Sequence, residues 1–113
     1  MNLTREQFER IKLLPLFKGK IVSDSMSPLI KVGEEIVVDV GAQDLKRFDI
    51  IVIFIKDKLV CHYLWQINRI VKPILLQTRN MRGQLDFPVP EKDYLGKVMS
   101  HKIGFWKRLR ILL

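Results

Sequence analysis

The fold of this chain is decided by residues 50–65, which read IIVIFIKDKLVCHYLW. The run 50–55 is apolar, short and rich in β-branched side chains, a composition typical of a β-strand. Residues 56–58 are polar and connect this run tightly to a second apolar run that begins at Leu59. Two strand-like runs joined by so short a polar segment predict an antiparallel β-hairpin.

Further apolar runs of the same kind lie on both sides of this hairpin. They are predicted as strands at 21–22, 36–38, 59–71, 74–76 and 94–99. Residues 41–46 form a longer, turn-rich link between two of them. The predicted fold class is therefore mainly β, with a short helix before an antiparallel β core and an amphipathic tail after it.

The segment before the core has the pattern of a helix start. Thr4 is a typical N-cap, Gln7 lies three positions later and completes a capping box, and Pro15 stops the helix. A helix is therefore predicted over 5–14, with Phe8 on the stripe that must lie against something apolar.

The length of 113 residues leaves room for one hydrophobic core and not two. We expect a single domain over 1–113, divided into a helical N-terminus at 1–18, a β core at 19–101 and a tail at 102–113. Hydrophobic residues make up 48% of the chain and charged residues 28%. This balance excludes disordered, collagen-like and low-complexity proteins.

Charge and cysteine content restrict the possible partners. The single cysteine, Cys61, cannot form an internal disulfide, and with only two histidines the chain has too few ligands for a structural zinc site, so no metal or cofactor is expected. The net charge of +8 favours an anionic partner. The longest wholly apolar run, at 50–55, is far shorter than the ~20 residues of a membrane-spanning helix. We expect a cytoplasmic protein, with membrane contact at most peripheral.

The least ordinary stretch is 21–30, IVSDSMSPLI, where a strand-like pair runs into hydroxyl residues, a methionine and a proline. A serine at the end of a strand is held on a rigid element with its hydroxyl exposed and backbone N–H groups nearby, which suits a nucleophile. A serine-rich turn held by side-chain to backbone hydrogen bonds explains the same residues without catalysis.

This stretch and several later segments together resemble type I signal peptidases and LexA-like serine peptidases. The sequence Ser-Met-Ser-Pro at 25–28 is similar to the Ser-Met-x-Pro box of that superfamily. The other similar segments follow in the same order, at 30–38, 45–52, 59–63, 78–86 and 95–98. Phe48 stands where the superfamily has a glycine, and the aspartate box has lost its leading Gly-Asp. The resemblance covers about 19–99 and implies a LexA/signal-peptidase-like antiparallel β fold.

The resemblance also implies a catalytic site made of Ser25, His62 and Asp86. Ser25 is the expected nucleophile, and His62 stands where the superfamily carries its base. A histidine can accept a proton near neutral pH, and its presence here places the chain in the histidine-base branch. Asp86 would fix the tautomer of the imidazole. Ser23 and the backbone N–H of Ser25 are the expected donors to an oxyanion.

Each of these residues also has a purely structural interpretation. His62 can be a strand histidine that bonds to a neighbour, Asp86 a turn aspartate and Ser23 a turn serine. Cys61 precedes His62, but adjacent residues of a strand point to opposite faces. We therefore expect Cys61 to be a small core residue and not a partner of the histidine.

The tail 102–113, KIGFWKRLRILL, has the pattern of a basic amphipathic helix. Its apolar side chains share one face at about 100° per residue; they are Phe105, Trp106, Leu109, Leu112 and Leu113. Lys107 and Arg110 lie opposite, and no acidic residue follows Lys97. The pattern predicts either contact with an anionic membrane surface, or packing of the apolar face on the N-terminal helix or on a partner.

We expect a serine endopeptidase that cleaves a peptide or protein substrate through an acyl-enzyme. The substrate would be an extended chain added to a strand edge, with a small residue before the cleaved bond, as the resemblance implies. The alternative is a catalytically inactive binding module of the same fold. A LexA-like regulator associated with nucleic acid is disfavoured, since the sequence contains no helix-turn-helix and no aromatic-basic platform.

Overall fold

The computed structural model describes residues 2–113, which form one antiparallel sheet curled into a half-barrel, together with two short helices. Across the sheet the strand order is β1-β2-β7-β3-β4-β5-β6. The strands are β1 (Leu16–Lys20), β2 (Glu35–Val40), β3 (Ile50–Ile55), β4 (Lys58–Asn68), β5 (Leu75–Arg79), β6 (Val89–Pro90) and β7 (Tyr94–Val98). The helices are α1 (Arg5–Ile11) and α2 (Phe105–Leu112). The prediction of a mainly antiparallel β fold is confirmed.

The predicted hairpin is β3 and β4, joined by a two-residue turn at Lys56 and Asp57. The strands pair from Ile50 opposite Tyr63 to Ile55 opposite Lys58. Both turn residues have positive φ, 49° and 62°, as the tightest hairpin turns require. All of β3 except Ile55 is buried, because β3 lies inside the sheet and both of its faces are covered. The continuous apolar run at 50–55 is the sequence signature of that two-sided burial.

The two faces of β3 belong to different hydrophobic clusters. The larger cluster contains Phe8 of α1, Met26 and Ile30 from the turn after β1, and residues from several strands. The smaller cluster lies around Ile51 and Ile53. The larger cluster therefore connects the segment around Ser25 to the sheet and to α1.

Helix α1 begins as predicted and ends three residues early. The Thr4 hydroxyl accepts a hydrogen bond from the Gln7 amide, and the Gln7 side chain accepts one from the Thr4 amide, so the capping box is confirmed. The helix ends at Ile11 and not at 14. Pro15 is the reason, because it disfavours helical backbone in Leu14 and the chain must turn here to enter β1.

The β core starts earlier than the predicted boundary at residue 19. Strand β1 occupies Leu16–Lys20, partly within the segment assigned to the helical N-terminus. Its sequence, LFKGK, has only two large apolar residues, so the strand pattern is weak. Residues 21–22 are not a strand, although Ile21 still exchanges backbone hydrogen bonds with Gly33 and Glu34 before the chain turns toward Ser25.

The remaining strand boundaries differ by a few residues from those predicted. β4 ends at Asn68 and not at 71, β5 runs to Arg79, and the two-residue strand β6 was not predicted. The tail contains the expected helix, α2. Neither helix within residues 2–113 has the length and hydrophobicity that crossing a membrane requires.

Candidate active site

Three separate parts of the fold bring Ser25, His62 and Asp86 together. Ser25 lies in the turn after β1, which is fixed to the core by the buried side chains of Met26 and Ile30. His62 lies in the middle of β4 and is buried. Asp86 follows β5. The sheet therefore closes sequence separations of 37 and 24 residues into one cluster.

The three side chains form a continuous hydrogen-bonded chain. The Ser25 Oγ atom lies 3.1 Å from Nε2 of His62. The Nδ1 atom of the same imidazole lies 2.5 Å from Oδ2 of Asp86. These are the distances expected of a nucleophile, a base and an orienting carboxylate.

The ionisation of Asp86 decides which imidazole nitrogen carries the proton. Burial raises the pKa of Asp86, but the hydrogen bonds from His62 and Thr78 lower it by more than burial raises it. The pKa of Asp86 therefore lies below its ordinary value. Near neutral pH the carboxylate is ionised and can only accept hydrogen bonds. The Nδ1 atom of His62 must then carry a hydrogen, which leaves the Nε2 lone pair to accept the Ser25 proton.

Thr78 binds the same oxygen of the Asp86 carboxylate as the histidine does. Its hydroxyl donates to Oδ2 of Asp86 at 2.6 Å, and its backbone carbonyl accepts from the Asp86 amide at 2.9 Å. Thr78 is fully buried at the end of β5. Sequence reasoning did not assign it a role, although it lies within the segment 78–86 of the resemblance, eight residues before Asp86.

The loop after β5 also fixes the backbone of the nucleophile. The Met81 amide donates to the Ser25 carbonyl at 3.0 Å. Beside it, the Arg82 guanidinium pairs with Asp24 at 2.7 Å. Buried Asn80 holds this loop together by accepting from the amides of Arg82 and Gln84. Met81 and Arg82 were not predicted, because the resemblance over 78–86 assigns a role to Asp86 alone.

The two expected oxyanion donors contact each other. The backbone N–H of Ser25 donates to Oγ of Ser23 at 3.2 Å. The Ser23 hydroxyl accepts in this bond, so its own hydrogen is free to point elsewhere. Ser23 is thus next to the nucleophile, while the Ser25 amide already has a partner.

A cavity of about 510 Å³ opens beside Ser25 and His62. It is lined by the end of β1 and the chain that follows it, residues 20–24, and by the start of β4, residues 58–62. The lining also includes the apolar residues Phe17, Ile36 and Val52.

Cys61 lines this cavity and packs against the larger hydrophobic cluster. Burial raises the pKa of its thiol to about 12. A thiol held in this way stays protonated at neutral pH and is a poor nucleophile. The geometry agrees with the expectation that Cys61 has a structural role.

Phe48 occupies a backbone conformation that glycine favours. Its φ is 77°, which is strained for a residue with a side chain. The ring is buried, stacks on Tyr63 at 6.0 Å and meets Trp65 edge to face at 6.2 Å. This position is the one at which the resemblance expects glycine, and packing of the ring offsets the strain.

Within residues 2–113, no group of three or more His, Cys, Asp or Glu side chains is placed to hold a metal ion. Comparison with protein-family models and with curated proteins finds no match to this chain. The geometry of the site must therefore carry the functional inference.

Proposed function

We propose that the chain is a serine endopeptidase of the type I signal peptidase and LexA-like superfamily, with a histidine base. The observation that carries this proposal is the hydrogen-bonded chain from Ser25 through His62 to Asp86, in which Ser25 and His62 line an open cavity. The positive φ of Phe48, at the glycine position of the resemblance, supports the same superfamily.

The proposed reaction has two steps that share one base. Nε2 of His62 takes the Ser25 proton as Oγ attacks the carbonyl carbon of the substrate, and then gives that proton to the departing amine. An acyl group remains on Ser25. His62 next takes a proton from water, whose oxygen attacks the ester, and the proton returns to Ser25 as the carboxylic acid leaves.

The pairing of β4 indicates how an extended substrate would bind. β4 pairs with β5 only from Tyr63 onward, so the other edge of residues 59–62 is not taken by a strand of the described chain. This edge borders the cavity. A peptide that added to it would make backbone hydrogen bonds and pass His62 and Ser25. The resemblance adds a small residue before the cleaved bond.

A peptide-binding module without catalysis is the second candidate. The observation in its favour is the hydrogen bond from the Ser25 amide to Ser23, because that amide must turn toward the substrate before it can stabilise an oxyanion. Such a module would bind extended peptides in the same cavity and leave them intact.

A peptide-mixture digest tests the proposal. The full chain is incubated with a diverse peptide mixture, and new termini are identified by mass spectrometry. The Ser25→Ala variant is the test, and Ser27→Ala, the same change two residues along the same turn, is the matched control. We expect wild-type protein and the control to produce the same cleavages, and Ser25→Ala to produce none.

Two results would reject the peptidase. One is a set of cleavages that Ser25→Ala retains in full, which would assign them to a contaminant or to another group. The other is no cleavage by wild-type protein between pH 6 and 9, with peptides recovered bound and intact, which would favour the binding module.

A further inference from the structure

Helix α2 turns its apolar side away from the protein. We call Phe105, Trp106, Leu109, Leu112 and Leu113 the α2 apolar face. Trp106 is 80% exposed, Phe105 66% and Leu112 53%. The α2 apolar face is therefore not packed on α1, which was one of the two alternatives that the sequence left open.

The opposite side of α2 is attached to the core. Ile103, just before the helix, is fully buried, and Ile111 packs against the larger hydrophobic cluster. The Arg108 guanidinium lies 5.7 Å from the centre of the Phe48 ring and donates to the Ile103 carbonyl at 2.8 Å. These contacts fix the rotation of the helix, so the outward direction of the apolar face is set by packing.

The charged side chains of the tail are all cations. Residues 102–113 contain Lys102, Lys107, Arg108 and Arg110 and no acidic residue. A positively charged segment with an exposed apolar face is complementary to a surface that is negatively charged outside and apolar beneath, as an anionic lipid layer is.

Two further arginines adjoin this helix through the aromatic pair beneath it. The guanidinium groups of Arg47 and Arg79 lie 4.5 Å and 4.7 Å from the centre of the Trp65 ring. Trp65 contacts the Phe48 ring, and the Arg108 guanidinium lies over that ring. Within residues 2–113, none of these three guanidinium groups forms a salt bridge with a carboxylate. Stacking holds them in place while leaving their charge available.

The combination favours a lipid surface over a protein. Tryptophan, phenylalanine and leucine beside lysine and arginine are the composition of helices that lie in the headgroup layer. Protein interfaces are instead depleted in lysine. A second copy of this chain would bring its own cations against these, which like-charge repulsion opposes.

We propose that α2 docks the protein on an anionic phospholipid surface. The α2 apolar face enters the headgroup layer, and the cations of the tail, with Arg47 and Arg79, contact lipid phosphates. Arg79 directly precedes the loop whose residues Asn80, Arg82 and Gln84 line the cavity. Docking thus brings the cavity close to the membrane. This inference is independent of the proposed catalysis.

Vesicle binding by the full chain tests the proposal. The probes are vesicles of phosphatidylcholine alone and with 30 mol% phosphatidylglycerol, at low salt, read out by co-sedimentation and by tryptophan emission. We expect binding to the anionic vesicles with a blue shift that is lost in Trp106→Ala. Lys107→Gln with Arg110→Gln lowers the partition coefficient roughly tenfold or more, since each cation near the surface contributes about fivefold.

Matched controls distinguish docking through α2 from nonspecific binding to the vesicles. Lys18→Gln with Lys72→Gln removes the same charge elsewhere, and Phe87→Gln removes an aromatic ring that is 91% exposed outside α2. Both control proteins, and Ser25→Ala, are expected to bind as the wild type does. The inference is overturned if wild type ignores anionic vesicles, if controls lose as much as α2 variants, or if light scattering shows that α2 instead mediates dimers.

Discussion

The candidate active site and helix α2 are held to the same sheet by very different amounts of structure. Ser25, His62 and Asp86 are hydrogen-bonded to one another, and Met81 and Thr78 fix the backbone on either side. α2 is attached by Ile111 and the Arg108 contacts, with its apolar face outward. Chemistry needs atoms held to a fraction of an ångström, whereas a lipid surface requires only a face of the right composition.

The largest expected effect is on the pair at the centre of the site. Ser25→Ala and His62→Ala are each expected to lower kcat/KM by roughly 10⁴-fold or more, because either change removes the proton transfer that activates the nucleophile. The variant with both changes is expected to be no slower than either one. Initial rates with one cleaved peptide measure this, and multiplicative losses would show that the two residues do not act as a unit.

Replacing the orienting carboxylate is expected to cost less. Asp86→Asn keeps the size of the side chain but can donate to the imidazole, which favours the wrong tautomer, and a loss of roughly 10²–10⁴-fold in kcat follows. KM should change little, since Asp86 does not line the cavity. Equal activity of variant and wild type would assign Asp86 a purely structural role.

The next effect is on stability and comes from the close packing of β7 against β2. Gly96 of β7 lies so close to β2 that an added Cβ would collide with the Asp39 carbonyl and Cγ1 of Val38. Gly96→Ala is therefore expected to lower the free energy of unfolding by about 1–3 kcal/mol. Urea titration measures the change, with Gly104→Ala, where a Cβ meets open space, as the matched control. Equal stability of the two variants would contradict the described packing.

Thr78 gives a smaller effect that separates positioning from folding. Thr78→Val removes the hydroxyl that binds Asp86. We expect kcat to fall about tenfold, which corresponds to the loss of one hydrogen bond. Thr78→Ser keeps the hydroxyl and should recover most of the rate. If both variants lose activity in parallel with stability, Thr78 has no role beyond the core.

The smallest effect on stability and on cleavage is expected from removing helix α2. Deleting residues 105–113 leaves Ile103 and the whole sheet in place, so the free energy of unfolding should fall by less than about 2 kcal/mol. Cleavage of a soluble peptide should stay within about threefold of wild type, while binding to anionic vesicles is lost. Unfolding of the sheet on truncation would show that α2 is part of the core.

The comparison also separates what the sequence predicts from what it does not. The β3–β4 hairpin is predictable because two-sided burial leaves an uninterrupted apolar run, followed by a polar turn. β1 and β6 are not, because LFKGK has few apolar residues and Val89–Pro90 is only a pair. Edge strands are stabilised by their neighbours more than by their own composition.

For the site, the resemblance located Ser25, His62 and Asp86, and the structure brings them together. Thr78 and Met81 depend on which strand lies beside which, and this information is absent from a single sequence. The positive φ of Phe48 was not predicted either: the resemblance has a glycine there, but phenylalanine seldom adopts this conformation and the surrounding aromatic rings offset the strain. Local patterns thus locate elements, and tertiary neighbours complete the site.

The central claim, that Ser25 is a nucleophile activated by His62, is tested most directly by finding the covalent intermediate. The protein is mixed with a slowly hydrolysed activated ester of a short peptide and quenched in acid, and the intact mass and the modified residue are measured. The account predicts one acyl group on Ser25 in wild-type protein, and almost none in the His62→Ala variant. Acylation of Cys61 or Lys58 in place of Ser25, or equal acylation of Ser25 without His62, would contradict it.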